Sequence, residues 1–168
     1  MTSLVFFTWV LVGTSPPDAG PSDSCPHAAA VEMRGDIGMG FDHRKTGHHF
    51  ALTAEGGTIS ADALDADDVD SQESIRRHMS HIAEAFANGN FDMPMFIHGR
   101  VPPGTSTLKR LRARIRYQEE DTPHGARVVI RTVDAEALKA VHAFLRFQME
   151  DHHTGDSPEV AQPSGGSP

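Results

Sequence analysis

A single cysteine among 168 residues excludes an internal disulfide framework and a multi-cysteine zinc site in the monomer. One tryptophan and one tyrosine leave few platforms for stacking nucleic-acid bases, and a formal net charge of -8 repels phosphate backbones, so no nucleic-acid partner is expected. No apolar run reaches the length a bilayer demands; Leu4–Val12 falls well short. A His-Glu-x-x-His helix, a Gly-x-Ser-x-Gly elbow and an EF-hand loop are all missing, which removes the commonest metalloprotease, serine-hydrolase and calcium readings. What the chain has in quantity is histidine, with eleven. Its 38% hydrophobic and 23% charged residues make a globular composition, and its length predicts one domain.

The apolar run Leu4–Val12, followed by small residues and prolines, fits the hydrophobic part of a secretory signal over residues 1–20, although the basic residue that usually precedes one is missing. The expected location is therefore periplasmic or secreted, with no membrane partner beyond the export signal. Pro21, Pro26 and the small residues around them predict a disordered linker over 21–36. Pro158, Pro163 and Gly165-Gly166 predict a disordered tail over 155–168. The folded domain is expected over 37–154.

Within it, His48–Thr53 and Thr58–Leu64 flank Glu55-Gly56-Gly57 as a hairpin, and Arg112–Gln118 and Ala126–Thr132 flank a second turn at Asp121–Gly125. Each hairpin precedes an amphipathic segment. Ile75, Met79, Ile82 and Phe86 recur at helical spacing between about Ser71 and Ala87, and Leu138, Val141, Leu145 and Met149 do so between Asp134 and His152. The order β-β-α-β-β-α predicts an α+β fold: a four-stranded, mainly antiparallel sheet with both helices on one face. The connector from Phe91 to Pro103 is too apolar for an exposed loop and is expected to pack across the core.

Imidazole is the most abundant chemistry on offer. His142 falls within the apolar stripe of the second long helix, where a ring must find partners for its nitrogens. His78 and His81 lie near the stripe of the first. With His49, His98 and His152 they form a set that can converge on the seam between helices, and Met93 and Met95 add thioethers, soft ligands that suit copper. A backbone hydrogen bond is the competing account of His142, and core filling that of the methionines. Arg112, Arg114, Arg116, Arg127 and Arg131 occupy the outward side of the second hairpin, as an anion-binding face, a homodimer surface or a plain solvated face.

The segments Met39-Gly-Phe-Asp, Thr46-Gly-His-His-Phe50, Ala87-Asn-Gly-Asn-Phe91, His98-Gly-Arg-Val-Pro-Pro-Gly104 and Ala140–Gln148 with His152 resemble a group of small exported bacterial proteins without an established activity. The resemblance covers about residues 39–155 and implies export and a single domain. Some members carry the label aspartate carbamoyltransferase, which the residues here do not support: the chain is too short for two α/β domains, and Ser106–Arg110 only faintly echoes a carbamoyl-phosphate loop. The leading expectation is thus an exported domain that binds a transition-metal ion, copper above others, for metal handling or resistance. An anion or small-ligand module on the arginine face is the second, and a transferase-like enzyme using histidine acid–base chemistry the third.

Overall fold

Two-residue turns at Ala54-Glu55 and Pro123-His124 fold the chain into two hairpins, β1 (Thr46–Thr53) with β2 (Gly56–Ala63) and β3 (Ile115–Thr122) with β4 (Gly125–Thr132). A computed structural model describes residues 26–161 of the chain. The hairpins join through β2 and β4, giving one four-stranded antiparallel sheet in the order β1-β2-β4-β3. Alternation puts Phe50, Leu52, Ile59, Ala61, Ala126, Val128 and Ile130 on the buried face. Against it lie α2 (Val69–Ala87) and α5 (Ala135–Asp151), as the order of elements predicts.

Local chemistry fixes the helix ends. Asp68 starts α2 by accepting from the Ser71 amide, three residues before the expected start near Ser71, and Asp134 accepts from the amides of Glu136 and Ala137 to start α5. Ile75, Met79, Ile82 and Phe86 of α2 are all buried, as are Val141, Leu145 and Met149 of α5, while Leu138 is only partly so. Gly57 lets α5 approach the sheet, because a Cβ there would stand 2.3 Å from Leu145 Cδ1 and 2.4 Å from the Ala51 carbonyl oxygen.

Several boundaries differ from the sequence expectation. The stretch read as linker to residue 36 forms α1 (Pro26–Met39). Pro26 has a ring-fixed φ that suits a first helical turn, alanines follow it, and Val31 and Met39 are buried. Helix α1 packs on α3 (Asp92–His98), where Arg34 Nε donates to the Ile97 carbonyl at 2.7 Å. The apolar connector packs inward as expected, through α3 with Pro94, Ile97 and His98 buried, and is followed by α4 (Thr105–Arg110), which packs on α5. Residues 112–114 form a 3-10 turn rather than the start of β3. The near part of the expected disordered tail lies along the edge of β1, where Val160 bridges Leu52 and the Ala161 amide donates to the Leu52 carbonyl at 2.8 Å. The signal segment over 1–20 lies outside the described residues. Among the described residues, no helix is long and apolar enough to cross a membrane.

Candidate functional site

The inner end of β1, the middle of α2 and the C-terminal ends of α3 and α5 meet around a cavity of about 50 Å³, and each brings a histidine to its wall: His48, His78, His98 and His152. His48 follows the same period-2 face as Phe50 and stacks on its ring at 5.8 Å, 3° from parallel. His152 caps α5 and stacks on both His48 (5.8 Å, 21°) and Phe50 (5.8 Å, 23°). His98 meets His152 edge-on at 4.9 Å, and His78 meets Phe41 edge-on at 5.5 Å. Met39, Met79 and Met93 line the same space.

Removal from water disfavours the charged form of an imidazole. Burial, reinforced by His152, His78 and His49, holds His48 down at about 3. Burial and His81 lower His78 to about 4. Burial and His98 lower His152 to about 4, against a smaller upward pull from Asp151. No hydrogen bond contributes to any of these shifts, so all three rings are neutral near pH 7 with nitrogens that the described residues do not engage.

His98 is different. Its side chain is fully buried, Nδ1 donates to Asp151 Oδ2 at 2.5 Å, and Nε2 stands 2.8 Å from Gln148 Oε1. Asp151, 6% exposed, also accepts from Arg100 at 2.5 Å and lies 3.0 Å from His27 Nε2. Burial pushes its carboxyl up, but the hydrogen bonds from His98, His27 and Arg100 outweigh that and hold it at about 2. Both ring nitrogens of His98 are thus engaged by protein groups.

Of the expected ligand set, His78, His98, His152 and Met93 come together at this cavity. The others do not. His142 Nε2 lies 3.0 Å from each of the Thr53 and Gly56 carbonyl oxygens, so the backbone of the first hairpin occupies it. His49, on the opposite side of β1 from His48, bonds Asp156 at 3.0 Å. His81 and Met95 face outward because they fall off the buried stripes of α2 and α3. His48, Gln148 and Asp151 belong to the site without having been expected there. Asp151 carried a signal: it follows Phe144 and Gln148 at helical spacing, which places an acid on an inward face.

The arginine face is narrower than expected. Arg112 and Arg114 sit on the 3-10 turn, Arg114 pairs with Asp134 at 2.6 Å, and Arg127 pairs with Glu120 at 2.7 Å. Arg116 and Arg131 stand opposite each other in register on β3 and β4, with no acid paired to either among the described residues.

A second group, Asp36, Asp42 and His43, holds three potential ligand atoms within 4.8 Å of one another, which the four cavity histidines do not. Its geometry has an internal explanation: His43 bonds Asp36 at 2.9 Å, and Asp42 caps the turn and pairs with Arg44 at 2.8 Å. The described residues therefore form a two-layer α+β domain with an imidazole-lined cavity. No protein-family model matches it, nor does any curated protein or solved structure.

Proposed function

We propose that the protein is an exported domain that binds a single transition-metal ion, copper above others, through His48, His78 and His152, for metal handling. The observation that carries this reading is the set of three neutral imidazoles with unengaged nitrogens on one cavity wall. Neutral imidazole is the ligating form, so no proton has to leave these rings at pH 7. Thioethers on the same wall favour copper. Because the rings stack instead of converging, binding turns them toward a common centre. The apolar run at Leu4–Val12 supports export.

Calorimetric titration with Cu(II), Cu(I) and Zn(II) tests the reading. One equivalent of copper should bind to the wild type, and His78→Ala with His152→Ala should lose at least 100-fold in affinity; unchanged binding in that double variant refutes the assignment. A second reading rests on the opposed Arg116 and Arg131, which line a pocket of about 250 Å³ with Arg114. Like charges directly opposite across a ladder destabilise it unless an anion intervenes. That reading predicts phosphate binding that Arg116→Glu with Arg131→Glu abolishes and chelators leave untouched.

A further inference from the structure

The two edges of the sheet are finished differently. On β1, Val160 bridges Leu52 and the Ala161 amide donates to the Leu52 carbonyl, so a later segment covers part of that edge. On β3, no strand, turn or loop among the described residues pairs with the outer edge. Thr122 faces Gly125 across the two-residue turn, which makes theirs a hydrogen-bonded pair. Every second residue back along the strand, Glu120, Gln118 and Arg116, therefore turns its N–H and C=O toward β4, while Ile115, Tyr117, Glu119 and Asp121 turn theirs outward.

Such a row of backbone donors and acceptors is a template for another strand, and proteins often blunt it with a proline, a bulge or a very short strand. None of these devices is present in β3, which runs for eight residues, contains no proline and keeps unbroken register with β4. It does carry charge, and the charge is ordered: Arg116 stands near the start, and Glu119, Glu120 and Asp121 stand at the end. A strand that is basic at one end and acidic at the other complements itself in the antiparallel direction.

We infer that β3 pairs with β3 of a second copy of this chain across a two-fold axis at Gln118, joining two four-stranded sheets into one of eight strands. The outward backbone groups decide which residues meet: Tyr117 opposes the partner's Glu119, and on the outer face of the sheet Arg116 opposes the partner's Glu120. A slip of two residues either way, the smallest that keeps the faces matched, sets Arg116 against Gln118 or Thr122 and loses the ion pair. Within one chain Arg116 faces Arg131, whereas Glu120 is already held by hydrogen bonds from Arg127 at 2.9 and 2.7 Å. The partner's Glu120 thus offsets the Arg116–Arg131 contact without the anion that the second reading above requires. The inference is independent of the metal reading and goes beyond the arginine-face reading, since it uses a strand edge and its partner is this same chain.

Sedimentation equilibrium of the full chain, with a chelator present to keep metal binding apart, tests the pairing. A reversible dimer is expected in the micromolar range. Arg116→Glu, which sets glutamates against each other at both ends of the shared ladder, should weaken dimerisation by about tenfold, and adding Glu120→Arg, which restores the pair with its signs exchanged, should recover most of that loss. Glu119→Pro removes an outward N–H that β4 does not use and should leave a folded monomer. Hydrogen exchange gives a readout that needs no variant: the Tyr117 and Glu119 amides should become protected as concentration rises through the dimer range, while the Gln118 amide stays protected throughout. A wild type that remains monomeric at every concentration overturns the inference. So does a dimer that whichever of the Arg116→Glu and Glu119→Pro variants folds leaves unchanged, or one whose Tyr117 and Glu119 amides exchange as fast as in the monomer.

Discussion

Acid should unfold this protein well above the pH at which carboxylates usually give way. In the unfolded chain, histidines bind a proton near pH 6.5; in the fold, His48 does so only at about 3, and His78 and His152 at about 4. Between those limits the unfolded state binds more protons than the native state, so stability rises with pH and is lost as pH falls below 6.5. Each ring that stays neutral in the fold contributes a loss of about 1.4 kcal/mol per pH unit, or roughly 3 kcal/mol at pH 4.5. The rings are half-buried at the residue level, and relaxation admits water, so about half of the three-ring total is the realistic figure: a loss of about 4 kcal/mol out of a typical 5–15. Asp151 does not confuse the measurement. Its carboxyl, held at about 2, contributes stability that is complete above pH ~4 and fades only toward 2. Urea unfolding of the metal-free chain at pH 7.0, 6.0, 5.0 and 4.5 should show the midpoint falling by about 2 M, taking a slope near 2 kcal/mol per molar urea. A midpoint that stays flat from pH 7 to 5 would refute the assignment of these rings as buried and neutral.

Three other substitutions probe the frame around the cavity. Asp151→Asn leaves the buried His98 ring, Arg100 and His27 without their carboxylate and should cost about 3 kcal/mol of stability by denaturant titration. Gly104→Ala should cost roughly 3 kcal/mol, because φ there is +85° and the new Cβ would sit 2.4 Å from the Ala140 carbonyl oxygen, forcing α4 off α5; a change under 1 kcal/mol would contradict that packing. His142→Ala should lose about 1 kcal/mol with its bonds to the first hairpin and leave copper binding as it was, which calorimetry checks directly.

The elements that the sequence announced are those whose periodicity comes from burial against the sheet. The 3.6-residue stripe of α2, the alternation of β4 and the Asp134 cap needed only local reading. Helix α1 escaped because proline and glycine masked a short apolar stripe that becomes buried only once α3 is in place. The site was half legible for a similar reason. His78 and His98 lie on helices and His152 at a helix end, so helical faces hinted at them; His48 shares a strand face with Phe50, and only the fold brings β1 against the end of α5. His142 misled because the interior of a helix stripe also includes positions that reach a hairpin backbone, where a carbonyl satisfies the ring as well as any ion.

Packing alone gives no reason for imidazole at position 48. The ring stacks on Phe50 as another aromatic would, makes no hydrogen bond that shifts its protonation, and becomes a liability in mild acid. Phenylalanine has nearly the same shape and carries no such liability, so imidazole is a locally costly choice at the wall of this cavity, one that a role in ligand binding would account for. His48→Phe therefore separates the two accounts of the cluster. If the histidines serve only as core, the variant should equal or exceed wild type in stability at pH 5 and change nothing else. If they hold a metal ion, the same variant should gain about 1 kcal/mol at pH 5, with one proton-linked ring gone, and lose copper affinity by at least tenfold. A variant that gains this stability and still binds copper as wild type does would remove His48 from the ligand set, and a markedly destabilised variant would show that the nitrogens of this ring bear structural weight that the stacked geometry does not reveal.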